Sequence, residues 1–447
     1  MKKVSGRARL VLVIACVVLA GLALFCIRYA LYAEDWVVFS GNPHVYSGGN
    51  LSSGTVTDRN GTVLLTNTEN GRVYADDALL RTSVLHLVGD REGYVSAPLI
   101  NARADQMVAY SKVTGLSGSA RTMTLTISAE AQTAALSALS GRKGCVAAYN
   151  YQTGEILCMV SSPAYDPDNK PEVDESDPAW DGVYVCRPTA SAYTPGSIFK
   201  LVTLACALEN LDGAEDLTFF CDGSCVIDGV TVTCHAVHGT VTLREALASS
   251  CNCAFGELAV MLGAEALQET ADRLGINEAL VTEDFAAVAG HFDVSEADDG
   301  ALAWAGIGQY TDLVNPMRYL TVLGAIARDG TCVDPYLVRD ISGVRKASSD
   351  GTERQLLSRD TAGIIADYMQ WGVETVYGAD AFGGLTVCAK TGTAEVGTEG
   401  DNAMFAGFVR DEELPVAFVI VVEGAGYGGQ NCVPIAAAVL SALAEPL

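Results

Sequence analysis

The sequence predicts an α/β (α+β) fold in which an antiparallel sheet is flanked by helices, set behind one N-terminal transmembrane helix and a small mixed domain. Three observations predict it. Strand-like stretches at both ends of the chain's second part bracket a long block of helical runs. Strands, then helices, then strands and a helix suit an antiparallel sheet with helices packed on it. The chain opens on an uncharged apolar run from Leu10 to Ile27, long enough to cross a bilayer. Its 447 residues suggest two or three domains with ample core.

The elements follow in order. Residues 1–9 carry Lys2, Lys3, Arg7 and Arg9 and read as a cytoplasmic tail. Residues 10–28 read as the transmembrane helix, because basic charge before a span keeps the amino terminus inside. A cleaved signal peptide is the competing reading. The bulky Arg28-Tyr29-Ala30-Leu31-Tyr32, where small residues would mark cleavage, speaks against it. Residues 29–119 form the small mixed domain, with short β-like stretches at 54–56 and 62–65 broken by Asn and Gly turns. The Gly/Ser-rich stretch 114–119 marks its end. In residues 120–447, Cys145 to Tyr149 and Ile156 to Ser161 make a hairpin around Tyr151-Gln152-Thr153-Gly154. Helical runs dominate from Phe199 to Met369. Strands return at 385–389, 404–409 and 415–422, and a helix at 433–444 closes the chain.

The formal net charge is −26. Such a chain is unsuited to nucleic acid and to broad contact with anionic lipid. Of the 14 cysteines, Cys16 and Cys26 sit in the span, and Cys145, Cys158, Cys206, Cys388 and Cys432 fall in apolar runs as small core residues.

Three short motifs carry chemistry. Ser197-Ile198-Phe199-Lys200 follows Pro195-Gly196 where a turn becomes a helix. The spacing puts Ser197 and Lys200 on one helical face. A serine hydroxyl needs a neighbouring base, and a buried lysine with lowered pKa can be one. Ser250-Cys251-Asn252 follows a helix that opens on a Thr242/Glu245 capping box. Lys390-Thr391-Gly392-Thr393 ends a strand-like run. S-x-x-K, S-x-N and K-T-G in this order are the signature of penicillin-interacting serine enzymes. The bland readings are an N-cap serine, a surface lysine, a polar loop and a chance tetrapeptide. The three motifs together override them.

With these motifs the chain resembles the class B penicillin-binding proteins, membrane-anchored peptidoglycan D,D-transpeptidases of the penicillin-binding/serine β-lactamase-like superfamily. Thr57-Asp58-Arg59-Asn60-Gly61 resembles the family's pedestal motif, with Ser53 where an arginine usually precedes Gly54. Leu125-Thr126-Ile127 with Gln132, Gly154-Glu155-Ile156-Leu157, Pro163-Ala164-Tyr165-Asp166-Pro167 and Arg187 resemble the approach to the nucleophile. Gly306-Ile307-Gly308-Gln309 resembles a further motif, with Tyr310 for the usual glycine.

The resemblance implies a β-lactamase/transpeptidase-like fold on a pedestal domain, and an acyl transfer. Ser197 is the nucleophile and Lys200 its base. Ser250 relays a proton to the leaving amine, and Asn252 holds the donor amide. Lys390 supplies fixed positive charge. Thr391 and Thr393 bind the terminal carboxylate of a D-Ala-D-Ala stem peptide, and Gly392 lets the substrate approach the strand edge. Backbone N–H groups of Ser197 and Thr393 form the oxyanion hole. β-Lactams would acylate the same serine. No cofactor is required for this chemistry. The chain shows no glycosyltransferase domain, so glycan polymerisation is expected from a polytopic membrane polymerase. Alternatives on the same scaffold are a D,D-carboxypeptidase or a β-lactamase. A non-catalytic β-lactam sensor or wall scaffold is the alternative of another class.

Cys221, Cys225, Cys234, His235 and His238 crowd into eighteen residues and lead toward Cys251 and Cys253. Cysteine and histidine at such spacing suggest a structural zinc held by Cys221, Cys234, His238 and Cys251. Some relatives that serve cell elongation carry a zinc beside the S-x-N motif. A disulfide, Cys221–Cys225 or Cys221–Cys234, and unpaired thiols are the competing readings.

Overall fold

The computed structural model describes residues 2–95, 98–108, 110–116, 121–342, 344–345, 353–396 and 400–445. The expected boundary at 119/120 lies outside the described residues.

Helix α1 (Lys2–Val37) is apolar through most of its length. Within Val4–Val37 its most apolar 18-residue window has a mean hydropathy of 3.2 and is not buried against the rest of the protein. By length and composition it is a candidate membrane span.

Strands β1 (Gly54–Thr57), β2 (Val63–Thr68) and β3 (Gly71–Tyr74) form a meander, and β4 (Thr122–Leu125) joins β1 in parallel. Helix α2 (Ala129–Leu139) follows, capped by Ser128, whose hydroxyl accepts from the Ala131 amide. The hairpin β5 (Gly144–Asn150) and β6 (Ile156–Ser162) comes next. The helical block includes α3 (Lys200–Asn210), α4 (Leu243–Ala248), α5 (Asn252–Leu262) and α6 (Pro316–Ala327). It is interrupted by a hairpin of β7 (Ser224–Ile227) and β8 (Val230–Thr233). The strand β9 (Val338–Ile341) pairs with β4. Helix α7 (Arg359–Gly372) leads to β11 (Val387–Ala394), β12 (Asn402–Val409), β13 (Val416–Val422) and α8 (Val433–Ala444). Before α7, β10 (Val344–Arg345) pairs with β9.

The central sheet has the order β6-β5-β13-β12-β11, antiparallel throughout. Alternate residues feed two cores. Val146, Ala148, Phe405, Phe418 and Ile420 face α2 and α8, while Cys145, Ala147, Tyr149, Met404 and Val419 face the helical block. Burial on both faces makes these strands read as continuous apolar runs rather than alternating ones. The five cysteines assigned to the core are all buried.

A second sheet, β10-β9-β4-β1-β2-β3, draws its strands from both sides of residue 120. Asp58 ties the two parts further. Its carboxylate accepts from the Asn60 and Thr62 amides in its own turn and from the Ala129 amide that starts α2.

Candidate active site

The nucleophile turn is a 3₁₀ segment, Gly196–Phe199, that runs straight into α3. It is held from three sides. The Gly196 amide donates to the Gly308 carbonyl at 2.9 Å. The buried Tyr319 hydroxyl on α6 donates to the Ile198 carbonyl at 2.6 Å. Gly196 itself, at φ +51, sits so close to β11 that a Cβ would lie 2.5 Å from the Thr393 carbonyl oxygen. Only glycine meets both demands.

The three motifs converge. Lys200 is fully buried, and its Nζ lies 3.1 Å from Ser197 Oγ, 2.8 Å from the Ser250 carbonyl, 3.2 Å from Ser250 Oγ and 2.7 Å from Asn252 Oδ1. An ammonium has three protons and no lone pair, whereas a neutral amine donates twice and accepts once. The two shortest contacts are to oxygens that can only accept. A neutral Lys200 donates to these and keeps its lone pair for the Ser197 hydroxyl. Burial, and then the nearby Lys390 charge, hold its pKa well below the usual lysine range.

Lys390 Nζ donates to Ser250 Oγ at 3.0 Å and to the Thr391 carbonyl at 2.9 Å. Ser250 therefore stands between the two lysines, which suits a proton relay. Its φ of +56 is unusual for a serine and is set by the tight passage from α4 to α5. Burial pushes the Lys390 pKa down to about 7. Thr391 and Thr393 line the cleft. Gly392 is buried, and a side chain there would meet the Pro195 carbonyl at 2.9 Å and Ile198 at 3.1 Å. Its bare face therefore admits the nucleophile turn to the strand.

The cleft holds about 400 Å³. Residues that the motifs did not reveal also line it, among them His235, Trp304, Tyr377, Glu395, Asp401 and Tyr427. Tyr377 ends a π-helical turn, Val373–Tyr377, that extends α7. Its hydroxyl reaches the Ala248 carbonyl at 3.3 Å, two residues before Ser250. A π turn is the one local signal that could have drawn attention to it, and hydropathy does not show it. Gln309 donates to the Thr393 carbonyl at 3.2 Å.

The hairpin β7–β8 brings the cysteine cluster against the S-x-N loop. One ligand atom from each of Cys221, Cys234, His238 and Cys251 lies within 4.8 Å of the others. Cys234 and Cys251 sulfurs are 3.8 Å apart, the edge of a tetrahedron built on Zn–S bonds of about 2.3 Å. Both ring nitrogens of His238 are buried without a protein partner, an expensive state unless one of them binds something. These residues fit a metal. All 14 cysteines are free thiols, and neither proposed disulfide is formed. Cys253 Sγ, 3.6 Å from Cys234 Sγ, lies beside the group.

Residues 144–441 match the penicillin binding protein transpeptidase domain. The chain is 31% identical over 337 residues to peptidoglycan D,D-transpeptidase PbpA of Mycolicibacterium smegmatis, covering 67% of each. It is 31% identical over 312 residues to stage V sporulation protein D of Bacillus subtilis, covering 64% of this chain and 47% of that one. Among solved structures it resembles the D,D-transpeptidase domain of a peptidoglycan glycosyltransferase from Eggerthella lenta, with TM-score 0.74 and 30% identity over 87% of this chain and 97% of that one. It also resembles the penicillin G acyl-enzyme complex of penicillin-binding protein A from M. tuberculosis, with TM-score 0.75 and 26% identity over 88% of this chain and all of that one.

Proposed function

The chain belongs to the penicillin-binding protein transpeptidase family and is a serine-type peptidoglycan D,D-transpeptidase, and we propose that Ser197, Lys200, Ser250, Asn252 and Lys390 carry its reaction. The observation that carries the reading is Ser250 Oγ, which lies 3.2 Å from Lys200 Nζ and 3.0 Å from Lys390 Nζ beside the nucleophile. In the first step Ser197 Oγ attacks the penultimate D-Ala carbonyl as Lys200 takes its proton. Ser250 returns a proton to the departing D-alanine. The Ser197 and Thr393 amides hold the oxyanion, Asn252 the donor amide, and Lys390 with Thr391 and Thr393 the terminal carboxylate. In the second step an amine of a neighbouring stem peptide takes the acyl group. β-Lactams acylate the same serine.

The supporting experiment is labelling with a fluorescent penicillin. Wild-type protein should give a covalent band, and Ser197→Ala should give none. A band that persists in Ser197→Ala defeats the assignment.

The apolar helix α1 serves as a single-pass anchor. The basic residues at its start favour an amino terminus in the cytoplasm and a catalytic domain outside. Residues 29–119 act as the pedestal and 120–447 as the transpeptidase domain, with the six-stranded sheet shared between them. A polytopic membrane polymerase supplies the glycan strands. Cys221, Cys234, His238 and Cys251 would hold a structural zinc. Four protein ligands would leave no open position for water, so a bound metal would brace the loop of Ser250 and Asn252.

A further inference from the structure

Helix α1 outruns the apolar stretch that makes it a span. That stretch ends at Ile27, and the helix continues to Val37. Just past Ile27 a short hairpin of Tyr110–Ser111 and Gly115–Leu116 is docked on it. The Tyr29 hydroxyl donates to the Lys112 carbonyl at 2.9 Å and accepts from the Tyr110 hydroxyl at 2.9 Å. Lys112 Nζ donates to the Ala30 carbonyl at 2.7 Å and lies 3.5 Å from the Glu34 carboxylate.

These contacts fix the height of the hairpin. Tyr29 follows Ile27 and Arg28, which puts its Cα about 3 Å beyond Ile27 along the helix axis. Side chains on a helix lean back toward its amino terminus. The Tyr29 ring does so, stacking 6.3 Å from the ring of Phe25 inside the span. The Lys112 carbonyl that its hydroxyl holds is therefore level with the end of the apolar stretch. The headgroup layer on each side of a bilayer is roughly 5–7 Å thick, so the hairpin tip falls within it.

The tip is built for that layer. The Ser111 hydroxyl accepts from the Val113 and Thr114 amides, both at 3.2 Å, and the turn so held leaves Val113 93% exposed. Lys112 runs the other way, its ammonium directed up the helix to Ala30 and Glu34. An apolar tip facing lipid with its neighbouring charge drawn toward water is the arrangement of an interfacial side chain.

We propose that the Lys112-Val113-Thr114 tip is a second lipid contact, seated in the headgroup layer of the bilayer that α1 spans. The proposal rests on the reading of α1 as an anchor. Because α1 already holds the tip at the surface, the contact is intramolecular in effect, and one apolar side chain is enough to make it. Two attachments rather than one fix the tilt of the small amino-terminal domain on the membrane. The Lys112 charge is already paired with Glu34, so the contact is apolar and indifferent to lipid charge.

The test uses the full chain reconstituted in phosphatidylcholine vesicles. Hydroxyl-radical footprinting of the unsubstituted chain compares two valines that the protein itself leaves open, Val113 at 93% and Val226 of β7 at 70%. Val113 should be protected and Val226 labelled. In vesicles of lipid brominated high on the acyl chains, Val113→Trp should gain an emission over wild type that is shifted to the blue and quenched. The emission gained by Val226→Trp should be neither. Vesicles of phosphatidylglycerol should give the same results, and penicillin acylation of Val113→Trp should match wild type. Equal labelling of the two valines overturns the proposal even if the tryptophan is quenched, since indole seeks the interface by itself. Protection confined to phosphatidylglycerol overturns the apolar contact. Release of the chain from vesicles by alkaline extraction would instead remove the span beneath it.

Discussion

The Asn252 amide donates to Cys234 Sγ at 3.0 Å. A residue of the S-x-N motif is thus tied by its backbone to a sulfur on the β7–β8 hairpin. Asn252 also donates its side-chain Nδ2 to the Thr233 carbonyl at 2.7 Å. The side chain that accepts from Lys200 is therefore oriented by the hairpin. Elemental analysis of protein purified without chelator should find about one zinc per chain. Cys234→Ala should lose the metal and slow penicillin acylation roughly tenfold, within the range for losing an outer-shell support. Metal-free protein with blocked thiols would contradict the site.

Lys200→Ala should slow acylation of Ser197 by at least about a hundredfold, the usual range for a general base. Stopped-flow acylation with a chromogenic cephalosporin measures it. The neutral amine is the active form, so the rate should rise with pH as Lys200 loses its proton. Burial places that limb well below the usual lysine range.

Lys390 should set the opposite limb. Its pKa is about 7, against an ordinary value of 10.5. Its charge is lost as pH rises through 7, so acylation should fall there, and Lys390→Met should erase that limb. Stability runs the other way. Below pH 7 the folded protein carries a buried cation. From pH 7 toward 10.5 the unfolded chain holds a proton that the folded one has shed, so stability rises with pH. Lys390→Met should therefore raise the melting temperature more at pH 6 than at pH 9.

Gly308→Ala should cripple acylation while leaving secondary structure intact. Gly308 has φ +81, and a Cβ would lie 2.2 Å from the Gly196 carbonyl oxygen and 2.8 Å from the Phe199 Cβ. Either the turn or the nucleophile must move. A loss of at least tenfold in acylation, with an unchanged circular dichroism spectrum, is the expected result, since small misplacements cost that much.

Gly324→Ala should destabilise without touching the cleft. A Cβ there would fall 1.6 Å from the hydroxyl of the buried Tyr149. Overpacking costs roughly 1–3 kcal/mol. That hydroxyl has no hydrogen-bond partner, so Tyr149→Leu in the same chain should recover part of the loss in thermal denaturation.

The hairpin β5–β6 and the last helix were legible because turn residues and apolar spacing mark them. The three catalytic motifs were legible because each is contiguous. The β7–β8 hairpin was not, since its strands are four residues each and half exposed. The six-stranded sheet was harder still. Strand β9, Val338–Ile341, carries two charges in four residues and shows no clear strand pattern until it meets Leu125 and Met123 across two hundred or so residues of chain. Lys390's lowered pKa depends on burial, which a linear motif does not encode. Tyr377 reaches the cleft only through the π turn. The four ligands proposed for zinc were readable because three fall close together and the fourth lies within a catalytic motif.

The sheet shared across the chain has a consequence for how the protein is made. Strands β1 to β4 emerge from the ribosome first, yet the neighbour of β4 on its far side, Val338–Ile341, arrives roughly two hundred residues later, tens of seconds behind at typical synthesis rates. Throughout that interval β4 presents an open edge, the kind that pairs with the wrong partner. Correct assembly of the six-stranded sheet therefore depends on that edge staying unpaired until the carboxy-terminal third has been made.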